Sequence, residues 1–82
     1  WIESLKDYVR IHTVSGPLVS YLRISYLEEK LPTDHFVRIH KSFIVSLDHI
    51  QAISASYIRV NNEELPIGRI YKAKLDEVLQ RR

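Results

Sequence analysis

Apolar residues alternate with polar ones in short runs, and turn-forming residues interrupt every run before it can become a long element. Tyr8 to Thr13 shows the pattern most cleanly, with Val9 and Ile11 pointing one way and Arg10 and His12 the other. A period of two residues puts one side of an extended chain in a core and the other in water. Phe36-Val37-Arg38-Ile39-His40 repeats it, Lys41-Ser42 interrupts, and Phe43-Ile44-Val45 resumes it. Trp1 to Ser4, Leu18 to Ile24, Ile50 to Ser54, Tyr57 to Val60 and Glu64 to Ile67 read as further short strands. Between them lie the polar turn Leu5-Lys6-Asp7, the turn signal Ser15-Gly16-Pro17, and Asn61-Asn62. The asparagines suit a tight hairpin because they tolerate positive φ. Residues 8–24 therefore read as one β-hairpin. Many short strands with frequent turns specify a mainly β body.

Helices are confined to trimmings. Ser25-Tyr26-Leu27-Glu28 has the form of a capping box, with Ser25 as N-cap and Glu28 three residues on. A short helix at about 25–31 is expected, stopped by Pro32, with Leu27 and Leu31 on its buried side. Ser46-Leu47-Asp48-His49 reads as a single helical turn or a tight loop, which Ser46 or Asp48 can cap. The chain closes with an amphipathic helix at about 69–80, whose apolar stripe is Tyr71, Leu75, Val78 and Leu79.

At 82 residues the chain fits one domain, 1–82, and nearly all its apolar side chains are needed for one core. Absence of cysteine excludes a disulfide framework and any Cys-based zinc site. No apolar run approaches the roughly 18 residues of a spanning helix, and no signal peptide opens the chain. A cytoplasmic protein without membrane contact is expected. The formal net charge is only +2, but it is unevenly spread. Arg69, Lys72, Lys74, Arg81 and Arg82 against Asp76 and Glu77 give +3 for the last segment, leaving −1 for the rest. A basic segment on a near-neutral body suits a phosphate-facing surface. It also suits an ordinary helix end, since the macrodipole favours cations there.

Catalytic signatures are missing. There is no G-x-S-x-G elbow or phosphate-cradling loop, and the only glycines, Gly16 and Gly68, sit in separate turns. Glu28-Glu29, adjacent on a helix, cannot face each other as an acid/base pair, and Glu63-Glu64 point to opposite faces of a strand. The histidines, His12, His35, His40 and His49, lack the i, i+4 spacing of a helical metal site. His12 reads as an exposed strand residue, and His35 and His49 as turn residues. His40 reads as a partly buried ring bonded to nearby backbone. No enzyme activity, metal or cofactor is expected.

Cations and hydrogen-bond donors at element ends are what nucleic-acid recognition requires. Three such spots occur: Lys6-Asp7-Tyr8, His40-Lys41-Ser42, and Arg69 with Lys72 at the mouth of the last helix. Lys41 and Arg69 can donate to guanine O6 and N7 or to phosphate, and Tyr8 and Ser42 to phosphate. Arg69 opens a helix, where the dipole disfavours a cation. An anionic partner would explain that placement, as would an ion pair to Glu64 or another acid.

Three segments in order, WIESLKDYVRIHT at 1–13, FVRIHKSFIVSLDHI at 36–50 and LPIGRIY at 65–71, resemble the LytTR DNA-binding domain family over essentially the whole chain. The R-x-H-[RK]-S-[FY] core and the later P-I-x-R segment carry the resemblance. It implies an elongated arrangement of small antiparallel sheets and sequence-specific DNA binding for transcription regulation, as the output domain of two-component response regulators. Loops would enter successive major grooves at imperfect repeats, with dimerisation through the full-length protein. By the same resemblance, base contacts fall on Tyr8, Lys41 and Arg69. Phosphate contacts fall on Ser42, Tyr71 and Lys72, and Lys6, His40 and Lys74 join them as neighbouring backbone contacts. Ser46 and Ile70 depart from the family pattern. The family's first strand and an N-terminal receiver domain are expected to be missing. Two alternatives stay open: a protein-interaction module on the same fold, and a small metal- or ligand-binding domain using His40 and His12.

Overall fold

The computed structural model describes residues 1–81. Arg82, counted above in the basic segment, lies outside them. The described chain measures 32 × 24 × 21 Å, a moderately elongated body. Five strands form one antiparallel sheet: β1 (Ile2–Ser4), β2 (Val9–Thr13), β3 (Gly16–Ser20), β4 (Phe36–His40) and β5 (Phe43–Ser46), in the order β3-β2-β1-β5-β4. Three more, β6 (Ile50–Ile53), β7 (Tyr57–Val60) and β8 (Glu63–Pro66), form a second sheet as a meander. α1 (Ile24–Lys30) lies between β3 and β4 in the chain, and α2 (Lys72–Gln80) closes it.

Alternation along the strands sorts the core into two parts on the two faces of the large sheet. Ile2, Val9 and Ile44 point to one face and pack with Ile24 of α1, joined by Ile11, Leu27, Leu31 and Phe36. Val37, Ile39 and Val45 point to the other and pack with Ile58, Val60 and Leu65 of the second sheet and Leu75 and Val78 of α2. The result is three layers, with the large sheet between α1 on one side and the small sheet plus α2 on the other. Each layer removes apolar surface from water, the dominant favourable contribution in a domain this small.

Several sequence expectations hold: the first hairpin, the β4–β5 interruption, the single 3₁₀ turn at Leu47–His49, and the closing helix. Asn61 and Asn62 sit at φ 49° and 64°, as a tight hairpin turn requires. Others need correction. The first hairpin turns at Val14-Ser15, not at Ser15-Gly16-Pro17, so the return strand is Gly16–Ser20 instead of Leu18–Ile24. Gly16, at φ 116°, begins that strand. Pro17 is accommodated because β3 is an edge strand, where a missing N–H costs no ladder bond.

The capping box does not form. α1 begins one residue early, with Arg23 as N-cap and no side-chain cap bond. The buried anchor is Ile24, and Leu27 and Leu31 are only partly covered. Docking of Ile24 into the sheet sets the start of the helix, and Glu28 turns to Arg38 instead of the backbone. The closing helix is two pieces, a 3₁₀ turn at Arg69–Tyr71 and then α2. Ser46 does not cap the Leu47–His49 turn, and its hydroxyl lies 3.0 Å from His49 Nδ1.

Candidate nucleic-acid interface

Antiparallel pairing determines which reversals share an end of the molecule. β1 pairs with both β2 and β5, with Ser4 opposite Val9 and Glu3 opposite Phe43. The β1–β2 loop (5–8) and the β4–β5 loop (41–42) therefore leave the sheet at the same end. The Ser4 N–H donates to the Ser42 carbonyl at 2.7 Å, and the Leu5 N–H to the Tyr8 carbonyl at 2.8 Å. On the other side, the Gly68 N–H donates to the Ile39 carbonyl at 2.7 Å and brings the 3₁₀ turn of Arg69 to the same place. Ile39 is the extra residue of a β-bulge, where the β4–β5 register slips between Arg38 and His40. Such bulges redirect the strand locally.

The three spots that carry Tyr8, Lys41 and Arg69 are thus tied into one row, with the β4–β5 loop in the middle. Lys6, Lys41 and Arg69 are exposed and form no ion pair among the described residues. Glu64 is not the partner of Arg69: it accepts from Arg59 Nη2 at 2.8 Å instead. Lys72 is half-buried and bonds Asp76 at 2.9 Å, one helical turn on, whereas Lys74 is exposed.

His40 is half-buried, as expected. Its Nδ1 accepts from the Ser42 N–H at 3.1 Å, which leaves the proton of the neutral ring on Nε2. Its ring lies against Phe43, with centroids 5.5 Å apart. Tyr71 is half-buried too. A Cβ on Gly68 would come within 2.9 Å of Tyr71 Cδ2 and 3.5 Å of His40 Cδ2, so only glycine lets the backbone pass this close to the Tyr71 ring without a shift.

Arg38, outside the candidate set read from the sequence, braces this end of the molecule. Its side chain is 13% exposed. Nε donates to the His40 carbonyl at 3.0 Å, Nη2 to the Lys41 carbonyl at 2.6 Å, and Nη1 to Glu28 Oε1 at 2.8 Å. The guanidinium also sits 5.7 Å from the Tyr71 ring centre. One planar fork thus holds the β4–β5 loop, α1 and the 3₁₀ turn together. Only the R-x-H spacing hinted at it, since its partners lie in three separate elements.

His12 is not an exposed strand residue. It stacks on Trp1 at 3.8 Å between centroids, and its Nε2 lies 3.3 Å from Glu3 Oε1. Among the described residues no group of three or more His, Asp or Glu is placed to hold a metal ion. No described helix is long and apolar enough to cross a membrane.

A layered β domain that brings Lys6, Lys41 and Arg69, exposed and without ion pairs among the described residues, to chain reversals at one end is the class these features define. The chain belongs to the LytTr DNA-binding domain family, whose family model matches residues 1–80. It is 38% identical over 86 aligned positions to the CO-responsive transcriptional regulator RcoM of Rhodospirillum rubrum, covering 96% of this chain and 36% of that protein. It is 30% identical over 82 positions to the sensory transduction protein LytT of Bacillus subtilis, covering 93% of this chain and 32% of that one. The chain therefore spans about a third of the length of these relatives. A solved LytTr DNA-binding domain from Bacillus cereus superposes with a TM-score of 0.85 at 26% identity, covering 95% of this chain and 77% of that one.

Proposed function

We propose that this domain binds a specific duplex sequence to regulate transcription in the cytoplasm, as the output part of a two-component response regulator. Tyr8, Lys41 and Arg69 meet base edges in successive major grooves. Lys6, His40, Ser42, Tyr71, Lys72 and Lys74 meet the sugar–phosphate backbone. Lys41 and Arg69 suit guanine O6 and N7, and the Nε2 proton of His40 suits a phosphate oxygen. Lys72 would exchange Asp76 for phosphate on binding. A full-length protein would dimerise on imperfect repeats, one copy of the domain to each.

The observation that carries this reading is the tethering of the three loops at one end by the Ser4–Ser42 and Gly68–Ile39 backbone bonds. Family membership supplies DNA as the partner. The test is selection from random duplexes, repeated with Lys41→Ala and Arg69→Ala. Each variant should lose about 1–3 kcal/mol on the selected site and relax preference at one base position. Full affinity and specificity in Arg69→Ala would overturn the assignment.

A second reading has its own support. β3 is an edge strand with exposed Leu18 and Val19, and Tyr21 and Leu22 follow it, so the fold could pair with another protein. Salt separates the two: DNA affinity falls steeply with ionic strength, and apolar protein pairing does not.

A further inference from the structure

We propose that the β3–α1 connection, Tyr21-Leu22-Arg23, is a fourth DNA-contacting segment, in which Arg23 takes a backbone phosphate at the flank of the site. The proposal rests on the DNA-binding reading above and extends it to a segment with no assigned role.

Register puts this segment beside the first loop. Ser20 is the partner of Val9, so the chain leaves β3 where β2 begins. The Tyr21 ring meets the Tyr8 ring edge-on, with centroids 6.3 Å apart. Residues 4–9 and 21–25 together line an open groove of about 480 Å³. The row of loops therefore does not stop at Tyr8 but continues across this groove to Arg23.

The chemistry of the groove favours a phosphodiester. Lys6 and Arg23 are exposed, and Arg23, like Lys6, forms no ion pair among the described residues. Asp7 is the carboxylate lining the same groove, and Glu29 lines the shallower hollow behind Tyr21. Neither lies within ion-pair distance of Arg23. With Lys41 and Arg69, four bases along this end form no ion pair among the described residues, against Asp7 in the groove and Glu29 in the hollow beside it. Tyr21 is 81% exposed. Its hydroxyl can donate to phosphate while its ring lies along a sugar. As N-cap of α1, Arg23 contributes backbone but no side-chain bond, so the guanidinium is not needed for the helix.

The test is a series of binding titrations on the selected duplex at 50 and 200 mM salt with wild type, Arg23→Ala, Arg23→Glu and Tyr21→Phe, folding being checked by thermal melting. Arg23→Ala should reduce the salt slope by about one unit, narrowing the affinity change between the two salts about threefold. Its loss of affinity should be equal for specific and non-specific duplexes. Arg23→Glu should lose more, and Tyr21→Phe should weaken binding without changing base preference. The Arg23 effect should vanish on a duplex trimmed at that flank. Wild-type affinity and slope in Arg23→Ala, while Lys41→Ala and Arg69→Ala are weakened, would overturn the fourth contact alone. If none of the variants changes binding, the DNA reading falls with it. A change in self-association by sedimentation, with DNA binding untouched, would reassign the segment to a contact between copies.

Discussion

Arg38 shows how one side chain can serve a surface without lying on it. Its fork satisfies the carbonyls of His40, the last residue of β4, and of Lys41, the first residue of the β4–β5 loop. Hydrogen bonds from a charged donor contribute about 1.5–3 kcal/mol each when little water competes. Arg38→Lys keeps the charge but not the planar fork, so one ammonium cannot bond both carbonyls and Glu28 in this geometry. The expected result is a stability loss of about 1–2 kcal/mol in urea unfolding. Specific DNA affinity should fall more than non-specific affinity, because the displaced group is a loop and not a phosphate ligand. Ile70 raises the opposite question. It is 83% exposed beside Arg69, an apolar side chain that the fold leaves uncovered. Apolar contact with a thymine methyl is the ordinary use of such a group in a major groove. On that basis, replacing thymine by uracil in the selected site should weaken wild type and leave Ile70→Ala indifferent, as direct titration would show.

At the scale of elements, the bulge in β4 and the 3₁₀ turn before α2 act as a pair. The bulge frees the Ile39 carbonyl to receive the Gly68 N–H, and Gly68, lacking a Cβ, leaves room for the Tyr71 ring beside it. Gly68→Ala would push a methyl to 2.9 Å from Tyr71 Cδ2, closer than packed carbons tolerate. Overfilling of this kind costs about 1–3 kcal/mol. The expected outcome is a lower melting temperature together with weaker DNA binding, as the 3₁₀ turn carrying Arg69 tilts away from the β4–β5 loop. A variant that melts lower but binds DNA as tightly as wild type would show that the turn holds Arg69 without Gly68.

Across the whole molecule, stability and loop placement come from the same layers. Leu75 of α2 is fully buried against the large sheet and the meander. Leu75→Ala should cost about 2–5 kcal/mol, a large share of what a domain of this size has in hand. Because α2 packs on β4 next to the 3₁₀ turn, chemical unfolding should show one cooperative transition at lower denaturant. DNA binding should decline in parallel with the folded fraction.

Apart from the bounds of β3, the strands were legible from Trp1 to Ile67 because a two-residue period is a local property of extended backbone, readable without knowing any partner. Asn61-Asn62 was legible for the same reason, since positive φ is a cost borne within the residue. The family motifs FVRIHKS and LPIGRIY also lie in contiguous stretches, and through them the candidate residues Lys41 and Arg69 could be picked out in one dimension. What the chain alone did not disclose is everything decided at a distance. Pro17 fits its strand only because β3 ends up at an edge. Ile24 starts its helix only because a sheet waits beneath it. Arg38, Tyr21 and His12 take their places from Glu28, Tyr8 and Trp1, none of them helical neighbours. Tertiary structure settles these because the order β3-β2-β1-β5-β4 is chosen by burial of two opposite faces at once. That choice depends on the shape of the whole core and has no signature in any single segment.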